Sequence, residues 1–181
     1  MTTLMQKLTN PLAMLRADHA YVKQAFASSW VTDSFTVRRL LVQEICGNLT
    51  IHATLEEELF YPALEQFGGQ EGRQFVEEAT REHQDIKNHI NEVMHTDVQS
   101  SDFRMHLGAL EQRVLAHVDR EEALFPMAED RLPLRRLAKQ MDIRRVQLMA
   151  KVRPPSGLAI MALVLIGLGA FLFVTLRRQE R

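Results

Sequence analysis

One pattern occurs twice in the chain, 65 residues apart: His52-Ala53-Thr54-Leu55-Glu56-Glu57-Glu58-Leu59-Phe60-Tyr61-Pro62 and His117-Val118-Asp119-Arg120-Glu121-Glu122-Ala123-Leu124-Phe125-Pro126. Each copy reads histidine, three residues, two glutamates, one residue, Leu-Phe and a following proline. On a helix, positions i and i+4 share a face and lie about 6 Å apart along the axis, so each copy aims an imidazole and a carboxylate the same way. The repeat reaches further back. Asp18-His19 lies 33 residues before His52, and Glu82-His83 lies 34 residues before His117. Two units of this length describe two helical hairpins, because a solenoid needs three or more.

Capping signals place the helices. Asn10-Pro11 starts the first, with Asn as cap and Pro at the first helical position. Leu12, Leu15, His19, Val22 and Phe26 follow at helical spacing, giving a helix over about 11–29. A break at Trp30–Phe35, with Asp33 or Ser34 as cap, precedes a second helix over about 35–66. Pro62 is expected to kink it and Gly68-Gly69 to stop it. A third helix covers about 71–95. Ser100, Ser101 and Asp102 cap a fourth over about 103–129. Four helices with short connections predict an all-α, antiparallel up-down bundle over residues 10–130.

Loop positions check the register. In an up-down bundle, residues at equal depth on adjacent helices are equidistant from the loop between them. The midpoints of 19 and 52, of 52 and 83, and of 83 and 117 are 35.5, 67.5 and 100, and each falls at or beside a break. All four histidines are therefore expected in one layer, about 24 Å from the loops at the helical rise of 1.5 Å per residue.

His19, His52, Glu56, His83, His117 and Glu121 are thus the candidate metal ligands. Imidazole with carboxylate suits iron, zinc, manganese or copper, and the absence of thiolate argues against structural zinc. Six ligands exceed what one tetrahedral ion uses, and two carboxylates that can bridge favour two ions, with one His plus one His-x-x-x-Glu for each. A lone histidine on an apolar face is more often a hydrogen-bonded core residue, and a lone i, i+4 pair a surface contact. Four histidines and two matched pairs in one layer are costly to bury without a cation. His89, His95 and His106 fall off this register and are expected in solvent. Cys46, the single cysteine, permits no internal disulfide and reads as a buried small apolar residue.

The net charge of −1 hides a split. Residues 1–130 hold 11 Lys/Arg against 21 Asp/Glu, and residues 131–181 hold 11 against 2. No nucleic-acid partner is expected of so acidic a bundle. Met1–Leu15 has no long apolar run and does not read as a secretory signal. Residues 131–156 form a basic segment, with Leu134, Leu137, Met141, Leu148 and Met149 among seven arginines and lysines between 135 and 153. It reads either as an exposed basic helix or as one lying on an anionic membrane surface. Gly157–Leu176 follows as 20 uncharged residues, closed by Arg177, Arg178 and Arg181. As a helix it spans about 30 Å, so 157–176 is expected to be a C-terminal transmembrane helix, with membrane lipid as a partner. The basic upstream flank favours a cytoplasmic bundle.

Over residues 10–130 these motifs resemble the hemerythrin-like, HHE cation-binding domain. The resemblance rests on Asp18-His19, His52-x-x-x-Glu56 with Glu57-Glu58-Leu59-Phe60, Glu82-His83, and His117-x-x-x-Glu121 with Glu122-Ala123-Leu124-Phe125-Pro126. It implies a four-helix bundle with a non-haem di-iron centre, hence two iron ions per chain. Oxygen-carrying hemerythrins have a fifth histidine four residues after that of the third helix, and this chain has Lys87 there. They close with His-x-x-x-x-Asp, and this chain has His117-x-x-x-Glu121. The chain is thus nearer the branch implicated in iron, oxygen or nitric-oxide responses. A membrane-held protein binding iron and O2, NO or peroxide, as sensor, store or scavenger, is the reading that follows. The alternatives are a di-iron redox enzyme acting on peroxide or nitric oxide, for which the sequence supplies no electron donor, and a metal-free membrane-tethered interaction module. Lys87 is expected on the inner face, leaving one iron short of a protein ligand.

Overall fold

The computed structural model describes residues 10–151. Helix α1 spans Pro11–Val31. Helix α2 spans Phe35–Leu55 and passes through a π-helical turn, Glu56–Phe60, into α3, Tyr61–Phe67. Helices α4, Gly69–His95, α5, Ser101–Arg131, and α6, Leu134–Lys151, follow. The four long rods of the expected bundle are α1, α2 with α3, α4 and α5. The all-α architecture therefore holds among the described residues. The apolar run 157–176 lies outside them. Within them, no helix is long and apolar enough to cross a membrane.

The caps do what their chemistry requires. Asn10 Oδ1 accepts the Leu12 N–H at 2.9 Å, Ser34 Oγ accepts that of Val37 at 3.3 Å, and Ser100 Oγ that of Phe103 at 3.1 Å. Each satisfies a donor that the first helical turn leaves unpaired. Ser34, not Asp33, caps α2. At the other end of the bundle, Gly68 alone connects α3 to α4. A Cβ on Gly68 would lie 2.6 Å from the Leu64 carbonyl oxygen and one on Gly72 2.5 Å from it, and Gly69 has φ +68. Only glycines let two helices turn back this tightly.

The expected kink at Pro62 takes a specific form. Proline has no N–H, and its ring would clash with the carbonyl four residues earlier in an α-helix. The chain widens by one residue just before it, and the Tyr61 N–H bonds the Glu56 carbonyl instead. The second copy lacks this feature: α5 runs as α-helix through Pro126. The sequences differ accordingly. Proline stands six residues after Glu56 but five after Glu121, and the extra residue is Tyr61.

Two apolar clusters form the core. One gathers Leu15, Leu55, Phe60, Leu64, Phe125 and their neighbours, and the other Val22, Phe26, Ile45, Leu49, Leu107, Leu110 and theirs. On α1 and α4 the candidate ligand falls between the two, and on α2 and α5 the ligands lie where one cluster gives way to the other, so a polar layer divides the core. Fully buried Phe60 and Phe125 each contribute about 1.5–3 kcal/mol by burial. Helix α6 extends the first cluster, burying Leu137 and Met141. Its basic residues do not all face solvent. Arg144 forms a bidentate pair with Glu58 at 2.5 and 2.7 Å, and Arg145 pairs with Asp18.

Candidate metal centre

Each long helix delivers one histidine inward: α1 His19, α2 His52, α4 His83 and α5 His117, all between 2 and 8% exposed. The π turn delivers Glu56 and α5 delivers Glu121, both at 0%. His19 Nε2 lies 3.3 Å from His52 Nε2, and His83 Nε2 lies 3.2 Å from His117 Nε2. Glu56 reaches both pairs, with Oε1 3.0 Å from His52 Nε2 and Oε2 3.2 Å from His83 Nε2. Glu121 Oε2 sits 3.0 Å from His19 Nε2. All six sequence-derived candidates converge. Their grouping departs from the two equal half-sites expected. His19, His52, Glu56 and Glu121 form one four-donor group, and Glu56, His83 and His117 form a three-donor group. Glu121 turns toward the α1–α2 side, and Glu56 is shared.

The outward Nδ1 atoms complete the arrangement. The Nδ1–H of His19 donates to Glu122 at 2.9 Å, that of His52 to Asp18 at 3.1 Å, that of His83 to Glu57 at 2.9 Å and that of His117 to Glu82 at 2.8 Å. The four bonds run from helix to helix and close a ring around the bundle. A carboxylate on Nδ1–H leaves the Nε2 lone pair facing inward, the tautomer a metal requires. Three of the carboxylates carry a cation on their outer side: Lys87 on Glu57 at 2.7 Å, Arg120 on Glu82 and Arg145 on Asp18. Lys87 is therefore on the surface, 43% exposed, and not on the inner face. The inward position nearest it belongs to Ile86.

Tyr61 was not among the sequence candidates. The π turn sets it five residues after Glu56, so both point inward. Its ring stacks on His83, and its Oη lies 3.1 Å from His83 Nε2. The remaining histidines are away from this layer: His89 and His106 contact Glu92, and His95 bonds the Asn91 carbonyl. Burial pushes the Cys46 thiol up to about 12, which makes it inert near neutrality.

The electrostatics are those of a cation site holding protons. Burial opposes charge on His52, but Glu56 and then Asp18 outweigh it and hold its pKa well above the usual value. His83 is raised too, since Glu56 and Glu57 overcome its burial. Burial would raise Glu56, yet His52 and His83 bring it well below the carboxylate range. Glu121 goes the other way, held well above that range by burial and by the Glu56 charge beside it. Burial, helped by the His52 charge, lowers His19 to about 4, and burial lowers His117.

A metal fits this donor set. No oxygen of Glu56 or Glu121 accepts a well-formed hydrogen bond, although all four are buried. Two buried carboxyl groups placed so, facing four imidazole nitrogens, offer a cation its ligands in exchange for the protons held there. Ligands about 2.1 Å from one ion, at angles between square and tetrahedral, lie about 3.0–3.4 Å apart. The spacings among the Nε2 and carboxylate oxygens, 3.0–3.3 Å, fall in that window. On the side of the histidines away from the glutamates lies a cavity of about 40 Å³. Val22, Leu49, Ile86 and Val114 wall it, and Tyr21, Asn48 and Arg145 lie toward the surface.

Comparison with known proteins agrees. The family model of the hemerythrin HHE cation binding domain matches residues 10–128. An uncharacterized hemerythrin-like protein of Schizosaccharomyces pombe is 24% identical over 119 residues, 66% of this chain and 59% of that protein. The chain thus spans about three fifths of that relative's length. The crystal structure of a hemerythrin HHE cation-binding-domain protein from Mycobacterium kansasii superposes with a TM-score of 0.67 at 22% identity, covering 83% of this chain and 96% of that one. It has the same fold. With its model matched from the cap of α1 nearly to the end of α5, and buried His/Glu groups able to hold metal at the centre, the chain belongs to the hemerythrin HHE cation-binding domain family.

Proposed function

We propose that the chain is a non-haem di-iron protein that binds a small gas or oxidant, O2, NO or peroxide, as sensor, store or scavenger. The observation that carries this reading is the convergence of four imidazole Nε2 atoms and two orphaned carboxylates at ligand spacing. Nitrogen and oxygen donors without thiolate suit iron, and a carboxylate shared between two donor groups suits a pair of ions. His19, His52, Glu56 and Glu121 would hold one ion, and Glu56, His83 and His117 the other. Iron in such a set supplies a reversible one-electron change and positions open to an outside ligand.

The protein's own groups do the rest. The four Nδ1–H bonds fix the imidazoles before any metal arrives. The cavity of about 40 Å³ beside the four histidines, with apolar walls at Val22, Leu49, Ile86 and Val114, supports the approach of a diatomic or peroxide. The three-donor group has fewer protein ligands, which supports ligand binding on that side.

Membrane attachment through 157–176 is part of the proposal, with the bundle on the cytoplasmic side. The uncharged 20-residue run supports the attachment, and the orientation follows from the basic residues upstream of the run, Lys139, Arg144, Arg145, Lys151 and Arg153, which outnumber the three arginines after it. Exposed Ile143 and Val146 on basic α6 support lipid contact. The second reading, a di-iron enzyme turning over peroxide or nitric oxide, is favoured by Tyr61, whose hydroxyl lies at His83 and, kept protonated by burial, can donate a hydrogen bond there. Stopped-flow mixing of the reduced, iron-loaded protein with O2, NO and peroxide tests both. Saturable spectral change without product formation supports sensing or storage, and multiple turnovers with a reductant support the enzyme. No response to any of the three contradicts both readings.

A further inference from the structure

We infer that Arg145 is a positioning residue for the metal centre, acting through Asp18 on His52, so that α6 sets the orientation of a ligand carried by another helix. The inference rests on the metal reading above. The match to the family model ends at residue 128, and α6, Leu134–Lys151, lies wholly beyond it.

The path is short and continuous. Arg145 Nη1 donates to Asp18 Oδ1 at 2.9 Å, and its Nη2 bonds Oδ2. The same Oδ2 accepts the Nδ1–H of His52 at 3.1 Å. The bidentate fork fixes the plane of the carboxylate, and the carboxylate fixes the plane of the imidazole. Arg145 itself is delivered rigidly. Met141, one turn earlier, is fully buried, and Leu137 is 3% exposed in the same cluster. Both members of the Arg145–Asp18 pair are only a quarter exposed. The cations on Glu57 and Glu82 are Lys87, 43% exposed, and Arg120, 54% exposed, and they come from α4 and α5. Asp18 is thus the shortest carboxylate of the ring, and its cation is supplied by α6. Arg145 also lines the cavity that reaches all four histidines. The neighbouring Arg144 provides a control, since its partner Glu58 is not one of the four carboxylates that accept a site histidine's Nδ1–H.

The test compares Arg145→Met, Arg145→Lys and Arg144→Met in the full chain. In metal-free protein, hydrogen exchange of each histidine Nδ1 proton is followed by NMR. In iron-loaded protein, extraction by a ferrous chelator is timed. Arg145→Met should speed His52 exchange while leaving His83 and His117 as they are. It should also hasten iron loss about tenfold, the low end for a partner one step beyond a ligand's own hydrogen bond. Arg145→Lys should recover part of both effects, and it supplies the comparison should the methionine variant fail to fold. Arg144→Met should change neither. The inference is overturned if Arg145 and Arg144 variants exchange His52 equally, or if all four histidines speed up together, which is general loosening. A wild type that holds no iron would refute the di-iron reading, while the His52 exchange rates would still decide the role of Arg145.

Discussion

Glu56 is the residue common to both donor groups, and Glu56→Gln is the most informative single change. The amide keeps the shape, removes the charge, and turns one of two lone-pair oxygens into a donor. The oxygens it alters lie 3.0 Å from His52 Nε2 and 3.2 Å from His83 Nε2. Breaking one partner of a fully buried charge pair costs about 3–5 kcal/mol, equivalent to about two to four orders of magnitude in affinity. Because the carboxylate is shared, the loss should fall on both ions. The variant should retain at most one ion per chain, loosely. Metal that stabilises the wild type should do less here: at 1,000 times Kd each ion contributes about 4 kcal/mol. That is roughly 10–20 °C in melting temperature for one ion in a domain of this size. Glu122→Gln, which touches His19 alone, should weaken one ion modestly. Metal analysis and melting curves with and without iron make the comparison. A Glu56→Gln protein that holds two ions with wild-type affinity would refute the shared-carboxylate geometry.

Three further outcomes are expected. Metal affinity should fall as pH falls, because the metal-free fold carries protons on His52, His83 and Glu121, all with raised pKa values, and an entering ion must expel them. Isothermal titration between pH 6 and 8 should show affinity rising with pH and protons released on binding, and a flat profile would contradict it. Met141→Ala should destabilise the chain by about 2–5 kcal/mol in denaturant melts, since it empties a fully buried site that joins α6 to the bundle. Ending the chain after Lys151 should release a folded, metal-binding bundle from membranes, because the six site residues all precede it; persistence on membranes after a high-salt wash would show that 157–176 is not the anchor.

The bundle and its six central residues were readable because two periodicities coincide there. Helical spacing groups each His-x-x-x-Glu, and loop symmetry puts the four histidines at one depth. What resisted reading lies across helices. Asp18-His19 and Glu82-His83 are adjacent in sequence, but neighbours on a helix diverge by about 100°. Each acid therefore serves the histidine of the next helix, and nothing local says which. Lys87 shows the limit of i+4 reasoning. It is about 40° from His83 around α4. Buried Ala79, Ile86 and Val93 lie about 40–80° to the other side of His83, so Lys87 falls at the rim of the buried arc and reaches Glu57. Tyr61 did leave a trace, the one residue more before Pro62 than before Pro126. Only the π turn converts that count into a phenol beside His83. The burial of α6 was half visible: Leu134, Leu137, Met141 and Leu148 fit a packed face, but its basic composition pointed outward.

The central claim is that this layer of imidazoles and carboxylates holds two iron ions. Protein expressed under iron-replete conditions and purified without chelator should contain about two iron atoms per chain by elemental analysis, with a near-ultraviolet charge-transfer band in the oxidised state. One zinc per chain and no iron would contradict it.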